Sequence, residues 1–500
     1  MRRMHSAWRI VIAAATVVAI VMVMAGLALY RPASAWVDAI TGTSTRISRV
    51  TAAQTDLYCP ARMTLADTAE YGDSEFRPSE GNIASASRYL ASGSVYQAIV
   101  SSLDGSSASR DLSSSSLDDG GLALQNDSSG DSRLLSASSL DVESGTGLAA
   151  STASWATSGD LRGMSAASCV VPALTQTLVL SGTRTGTTQQ LVVANPSAKS
   201  TAVGMTIWGT DSAGRMTPST GSTVTVPADG EKTVDLSAAA SGQEGLVVTL
   251  SSTQTPVAAV VRSVVMDGLS VGGSDYALPA AAASRSESLP GVAAGDAVRV
   301  VLFSRRSGHA TLSWLTSSGS SRAGTVTLTA SQVSSVDLGT APKGAYALAV
   351  SSDSALIASA VATRSNGSGQ SDFAYLPASS ASKDGAVALP AGLSGTLVAV
   401  NASDVDVTAT VRVYDSSGNP DGSRSLTVAA GSATGLDLSS FDGSAAAVAM
   451  QSSGGLSWGV RASSADLSRR SVAAVAFLGA TALEPTLVTV RTSRNQNILQ

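Results

Sequence analysis

Few side chains in this sequence have the types and spacing for chemistry, and each also has an ordinary structural reading. There are two histidines, His5 near the N-terminus and His309 between Gly308 and Ala310. A Ser-His-Asp or Cys-His centre would have to use His309 as its base, yet its neighbours place it in a solvent-exposed turn. Glu231, Glu244, Glu287 and Glu484 would have to meet in pairs to hydrolyse a glycosidic bond, and all four lie in loop-like sequence. Asp235, Asp337 and Asp437 recur at equivalent positions and suggest calcium, but that ion wants roughly 6–8 oxygens from clustered acids. The expectation is that each caps the backbone that follows it, as Asx turns do. Neither H-E-x-x-H, C-x-x-C nor a phosphate-binding loop occurs. The chain is read as non-enzymatic, with no catalytic residue, cofactor or metal.

For binding, the aromatic residues are the relevant set. Trp208, Trp314 and Trp458 are candidates to stack against a sugar ring, the alternative being that strand tryptophans pack in cores. Asn126, Asn366 and Asn401 begin glycosylation sequons, which a Ser-rich chain also produces by chance. Cys59 and Cys169 either form one disulfide or remain two buried thiols. A bridge would close a loop of about 110 residues and contribute up to ~4–5 kcal/mol in the chain-entropy model.

The elements that position these residues follow a repeat. Val224-Thr225-Val226 is followed after seven residues by Val234-Asp235-Leu236, and the same spacing recurs in Val326-Thr327-Leu328 with Val336-Asp337-Leu338 and in Leu426-Thr427-Val428 with Leu436-Asp437-Leu438. Alternating apolar residues on either side of a polar spacer describe two strands and a loop. A period near 100 residues suits a whole β-sandwich. Three modules are expected, over 173–279, 286–377 and 387–478. The last main strand of each ends at an arginine (Arg262, Arg364, Arg461). Two modules continue into Ser274-Asp275-Tyr276-Ala277-Leu278-Pro279 and Ser371-Asp372-Phe373-Ala374-Tyr375-Leu376-Pro377, read as a final edge strand leading into a linker. The fold class is all-β: three tandem immunoglobulin-like β-sandwich modules after one N-terminal transmembrane helix.

Before the modules, Arg2, Arg3 and Arg9 precede an uncharged run over 10–30, long enough as a helix for a ~30 Å hydrocarbon core. Positive charge ahead of it keeps residues 1–9 cytoplasmic and sends the body outward. The alternative is a signal peptide cleaved after Ala35 in Ala33-Ser34-Ala35. Residues 31–100 read as a membrane-proximal segment with short strands, 101–160 as a Ser/Gly-rich disordered insertion with a glycosylated stalk as its alternative, and 484–500 as a polar tail that frays. Apolar residues make up 44% of the chain, aromatic residues 4%, and the net charge is −5, so cores are affordable and a nucleic-acid partner has no basic patch.

The membrane-proximal Cys59-Pro60, the run Leu191-Val192-Val193-Ala194-Asn195-Pro196 and the segment Asp275-Tyr276-Ala277-Leu278-Pro279 resemble the family called domain of unknown function 5719, from high-GC Gram-positive bacteria. The resemblance spans about 50–480 and implies a secreted or anchored envelope protein without an assigned activity, so no site residues carry over. One departure is Ser304-Arg305-Arg306, which stands where the Asn-Pro turn of Asn195-Pro196-Ser197 would sit. The expected role is a membrane-anchored envelope scaffold or binding protein. Its partners would be the membrane, through the helix, and an envelope protein or polysaccharide. The alternative is an accessory binder of envelope polysaccharide serving a membrane glycan-assembly enzyme.

Overall fold

The computed structural model describes residues 4–30, 45–51, 54–66, 77–112, 121–139, 143–441, 443–484 and 487–493. The chain forms two compact parts, Met1–Ala52 with Thr486–Gln500, and Ala53–Pro485. It is nearly all β, with one long N-terminal helix.

In the smaller part lie the helix α1 (Met4–Tyr30) and a strand β1 (Thr45–Thr51). Among the described residues no helix is long and apolar enough to cross a membrane. This corrects the expected single-pass anchor, its cytoplasmic N-terminus, the membrane partnership and the localisation built on them. A spanning helix needs about 20 consecutive predominantly apolar residues, and the described residues do not supply them in one helix. The alternative cleavage site, Ala33-Ser34-Ala35, lies outside the described residues.

In the larger part four units follow one another, each built to one plan. Unit I comprises β2 (Gln54–Cys59), β3 (Ala84–Ser92), β4 (Val95–Ser101), β5 (Arg110–Asp111), β6 (Ala123–Asp127), β7 (Arg133–Ser139), β8 (Gly147–Ala156) and β9 (Gly163–Ser168). Its sheets are ordered β2-β7-β4-β5 and β6-β3-β8-β9. Unit II has β10 (Thr175–Leu180), β11 (Thr187–Asn195), β12 (Thr201–Gly209), β13 (Thr223–Val226), β14 (Gly230–Asp235), the short helix α2 (Leu236–Ala239), β15 (Leu246–Ser252), β16 (Ala258–Asp267) and β17 (Ser270–Ala277). Its sheets are β10-β15-β12-β13 and β14-β11-β16-β17. In both units the order is first-sixth-third-fourth in one sheet and fifth-second-seventh-eighth in the other.

Unit III keeps this order with β18 (Ser284–Pro290), β19 (Ala297–Ser304), β20 (Gly308–Thr316), β21 (Gly319–Leu328), β22 (Val333–Thr340), β23 (Ala347–Ser365) and β24 (Ser371–Pro377). Here β23 serves as both sixth and seventh strand. Residues 347–352 pair with β20, while the half beyond Leu356 pairs with β19 and β24. Unit IV repeats the device with β25 (Ser382–Ala388), β26 (Ser394–Asn401), β27 (Val407–Tyr414), β28 (Pro420–Val428), β29 (Ser432–Asp437), the long β30 (Ala447–Ser463), the helix α3 (Ala465–Arg469), β31 (Ala476–Gly479) and β32 (Thr481–Ala482). A last strand, β33 (Leu487–Ser493), pairs antiparallel with β1, so this stretch of the tail is ordered in a ladder.

Two expectations change. The immunoglobulin plan sets the C, F and G strands together in one sheet. Here the seventh strand lies beside the second in the opposite sheet. A continuous strand that bends from one sheet into the other cannot lie beside itself, and such bends form the corners of sandwich-like packings. The stretch 101–160 is not a disordered insertion among its described residues: β5 to β8 lie within it. Its alanines and serines are buried as small residues where sheets approach closely, Ala150, Ala153, Ser151 and Ser154 all being 2% exposed or less.

Each unit buries its alternating apolar residues between its own sheets. In unit II, Leu178, Leu180, Met205, Ile207 and Val248 from one sheet meet Leu191, Val193, Ala259 and Val261 from the other. The units then close on one another in a ring. Units I and II join through Tyr276, whose hydroxyl donates to the Ala61 carbonyl at 2.7 Å, and Arg262, which donates to Thr64 Oγ1 at 2.7 Å. Units II and III share Trp208, Val247, Val301, Phe303 and Ile357. Units III and IV meet at Asp296, fully buried, which takes Arg364 from its own unit and Arg461 from the next. Units IV and I close the circle through Leu90, Leu122, Ala388, Tyr414 and Leu483, with the Leu122 amide donating to the Gly418 carbonyl at 2.9 Å.

Candidate functional site at the ring axis

The eighth strands β9, β17, β24 and β31 would be the exposed edges of their sheets. Instead they face one another at the centre of the ring, which covers edges that would otherwise invite pairing with other chains. Asp372, at the start of β24, is fully buried. Its Oδ2 accepts from the amides of Met164 in unit I at 2.9 Å and Val475 in unit IV at 3.0 Å, and its Oδ1 from Ser274 in unit II at 3.3 Å. One carboxylate of unit III therefore bonds all three other units. Asp275 takes the matching position in unit II and accepts from Ala166 at 3.1 Å and Tyr375 at 2.8 Å. Burial pushes both carboxyls well above the ordinary aspartate value, against the pull of those amides; Asp275 adds to the rise at Asp372. Gly273, at φ +110°, lets the chains approach so closely that a Cβ there would lie 2.6 Å from Asp372 Cα.

At the exit end of the same strands the axis opens into a cleft of about 810 Å³. Its walls are the four stretches that leave the eighth strands, 168–171, 278–283, 377–380 and 479–481, with Gln176, Thr177 and Thr249 of unit II and Phe303, Arg305, Ala355 and Ile357 of unit III. Alanine is the commonest residue of the lining. Several polar groups on the wall are committed within the protein: Ser168 donates to the Gly479 carbonyl at 2.7 Å, Thr177 and Thr249 bond hydroxyl to hydroxyl at 2.9 Å, and Gln176 donates to the Val171 carbonyl at 2.9 Å, while Thr175, Ser380 and Thr481 add further hydroxyls. Gln176 Oε1 and Ser379 Oγ lack partners but are covered from solvent. The lining holds one charged residue, Arg305, whose guanidinium lies 4.5 Å from the centre of the Trp208 ring. Among the described residues no carboxylate pairs with it. On the rim, Val171 is 52% exposed and Leu174 is 45% exposed.

The residues singled out from sequence lie elsewhere or play other parts. Trp208, Trp314 and Trp458 are buried, at 1%, 6% and 2% exposure, so none presents a face for a sugar; this corrects the ligand-stacking assignment. Trp208 is buried at the boundary between units II and III, while Trp314 and Trp458 belong to the cores of units III and IV. Cys59 and Cys169 form a disulfide, with Cα atoms 4.4 Å apart, and Cys169 stands at the cleft wall. Asp235 caps α2 by accepting from Ser237 and Ala238, Asp437 accepts from Ser439, and Asp337 from Gly339. His309 is exposed at the start of β20, and its amide donates to Asp353. The four glutamates are dispersed: Glu231 accepts from Tyr58, Glu244 pairs with Arg184, Glu287 is buried in β18, and Glu484 accepts from the Lys383 amide. Asn401 is fully buried and its side-chain amide holds the Val405 and Val428 carbonyls, so that sequon serves a turn.

The Asp275 and Asp372 roles were missed because the motif reads as an edge strand, although an acid repeated in an apolar strand is itself a signal. Arg305 was visible only as a departure from the Asn-containing turn. That departure is what puts a cation on the cleft wall.

A family model matches residues 123–439, from within unit I to within unit IV. The chain belongs to the family of unknown function DUF5719. The match takes in part or all of every unit, so it follows the ring and not one repeat. None of the curated proteins compared matches the DUF5719 chain. Among solved structures it is similar to the Streptomyces avermitilis alpha-L-rhamnosidase complexed with L-rhamnose, at 10% identity over 75% of this chain and 54% of that one. The chain thus spans about half of that enzyme's length, and the TM-score of 0.12 carries no argument about fold or activity.

Proposed function

We propose that this DUF5719 protein is a non-enzymatic binding scaffold whose binding site is the axial cleft. The observation that carries the reading is the cleft itself: all four units converge on it, its lining is apolar, and that lining includes neither a carboxylate nor an imidazole. Pockets of roughly 300–1,000 Å³ with apolar walls and few polar groups are the usual form of small-ligand sites. Acid–base or nucleophilic catalysis would need a titratable pair within hydrogen-bond reach of the substrate. The units read as sandwich-like modules in tandem, because each buries one core between two facing sheets. The disulfide supports maturation in an oxidising compartment. The polysaccharide alternative loses its support with the burial of the three tryptophans.

The test uses the full, disulfide-bonded chain and Nile red, a neutral apolar dye. The expected result is one saturable site per chain, abolished by Ala282→Trp, which fills the cleft from an exposed position, with Tm unchanged. No saturable binding, or binding that Ala282→Trp leaves intact, overturns the reading.

A further inference from the structure

We infer that the axial cleft takes a single-chain aliphatic carboxylate, with its head on Arg305 and its hydrocarbon chain along the alanine-lined walls. The inference rests on the binding-scaffold reading above and adds the ligand's chemistry. Three observations favour this ligand.

Arg305 is the one charge on the lining. It is exposed, it is held over Trp208 at 4.5 Å, and among the described residues it has no carboxylate partner. A guanidinium fixed by stacking loses little further freedom on accepting a carboxylate, which its planar fork matches with two parallel hydrogen bonds. A cation already resting on Trp208 and Phe303 at a partly dry wall is also less hydrated than a free lysine would be.

The rest of the wall is mainly apolar, with Thr175, Ser379, Ser380 and Thr481 as its remaining hydroxyls. Ser168, Thr177, Thr249 and the Gln176 amide are bonded within the protein. A peptide lying there would lose water from more amides than these few hydroxyls could satisfy, at several kcal/mol for each amide left bare. A hydrocarbon chain has no such groups, and its transfer from water is favourable by about 0.8 kcal/mol per methylene buried. The partly exposed Val171 and Leu174 extend the apolar surface beyond the cleft mouth, as a chain longer than the cleft would use.

Finally, the cation occurs where unit III breaks the repeat. Units II and IV have Pro196 and Ala402 at the position of Arg305, behind Asn195 and Asn401, which bind the turn carbonyls. In unit III the turn is held by Ser304 instead, whose hydroxyl donates to the Ala355 carbonyl at 3.0 Å and accepts from the Arg306 amide at 3.1 Å. The turn is thus kept without the asparagine while its next residue faces the axis. A turn maintained by other means around a changed residue marks that residue as serving something other than the fold.

The experiment titrates dodecanoate and dodecanol, below their aggregation limits, against the full chain by calorimetry and by displacement of Nile red. The expected result is that dodecanoate binds one-to-one and displaces the dye, with dodecanol at least tenfold weaker. Arg305→Gln brings dodecanoate down to the dodecanol level without changing dodecanol, and Ala282→Trp removes both. Equal affinity for the two ligands, or an unchanged preference in Arg305→Gln, overturns the assignment of the carboxylate head. If Nile red binds in the cleft and dodecanoate fails to displace it, the ligand class is wrong while the binding-scaffold reading stands. If neither binds, both fall.

Discussion

Asp372 decides more of this structure than any other single side chain. Its two oxygens answer backbone amides from the three other units, and removing it would leave three donors dry at the axis. Each buried donor left without a partner costs ~1–3 kcal/mol, so Asp372→Ala is expected to lower stability by about 3 kcal/mol or more in urea unfolding. Asp372→Asn should cost clearly less, because the amide oxygen still accepts from Met164 and Val475 and only the longer bond to Ser274 is lost. Equal effects of the two substitutions would mean that the carboxylate's contacts matter less than its volume. Glu287 gives the pH dependence. Burial lifts its carboxyl to about 7, opposed by the Ser284 amide. A folded value above the ordinary one contributes stability that is complete below the unfolded pKa and is lost as pH rises through about 7. Stability should therefore fall between pH 5 and about 8, and Glu287→Gln, which keeps the acceptor for Ser284, should flatten that fall and match the parent at pH 4.5. A variant whose pH profile still parallels the parent's would remove Glu287 from the account. Neither residue was legible beforehand: Glu287 sits in sequence that reads as a loop, and Asp372 in a motif whose partners lie 98 to 208 residues away.

Strands carry the next level. The repeated Val-Thr-Val and Val-Asp-Leu runs of units II to IV were legible because alternation over a fixed spacer survives in the sequence. What alternation does not contain is the partner. β13 pairs with β12 and β14 with β11, so the two runs belong to opposite sheets and the seven-residue spacer crosses between them. Likewise the polar stretch Ser351-Ser352-Asp353-Ser354 reads as a break between two strands, whereas β23 runs through it as the corner where one strand changes sheets. Unit I escaped notice for a compositional reason. Its strands β3 and β8 are built of alanine and serine, residues that look like low complexity until they are seen packed at close approach. Its fourth strand is only two residues long, so the recurring pattern has no copy there. The disulfide compensates for that light core by tying the end of β2 to the residue after β9. Replacing both cysteines by serine should lower stability by up to ~5 kcal/mol on the chain-entropy model for a loop of this length. The loss should be smaller to the extent that unit I stays folded in the reduced chain. A reduced chain as stable as the oxidised one would show that the ring alone holds unit I together.

At the scale of the whole ring the question is whether four similar units behave as four domains or as one. Beads on a string were the expectation from a period near 100 residues, and each unit does own a core. But the contacts between neighbours are of core quality. Trp208, Val301 and Phe303 pack across one boundary, Tyr375 of unit III bonds Ser181 and Ser263 of unit II, and buried Asp296 binds Arg461 across another. The last unit returns to the first, so no unit is terminal. In an open array each repeat depends only on its neighbours, and the ends loosen first. A closed ring has no such end, and losing one unit uncovers two interfaces and the axial amides together. The expected behaviour of the 53–485 part is therefore a single cooperative transition. Pulsed hydrogen exchange read by mass spectrometry across a urea series checks this in one sample, following peptides from β7, β15, β23 and β30. Their midpoints should coincide, and in Asp372→Ala all four should shift together, although the substitution lies in unit III. If the β23 peptides moved alone, the units would be independent domains that merely touch. The axial cleft would then be a gap between separate bodies, without the fixed walls that a binding site requires.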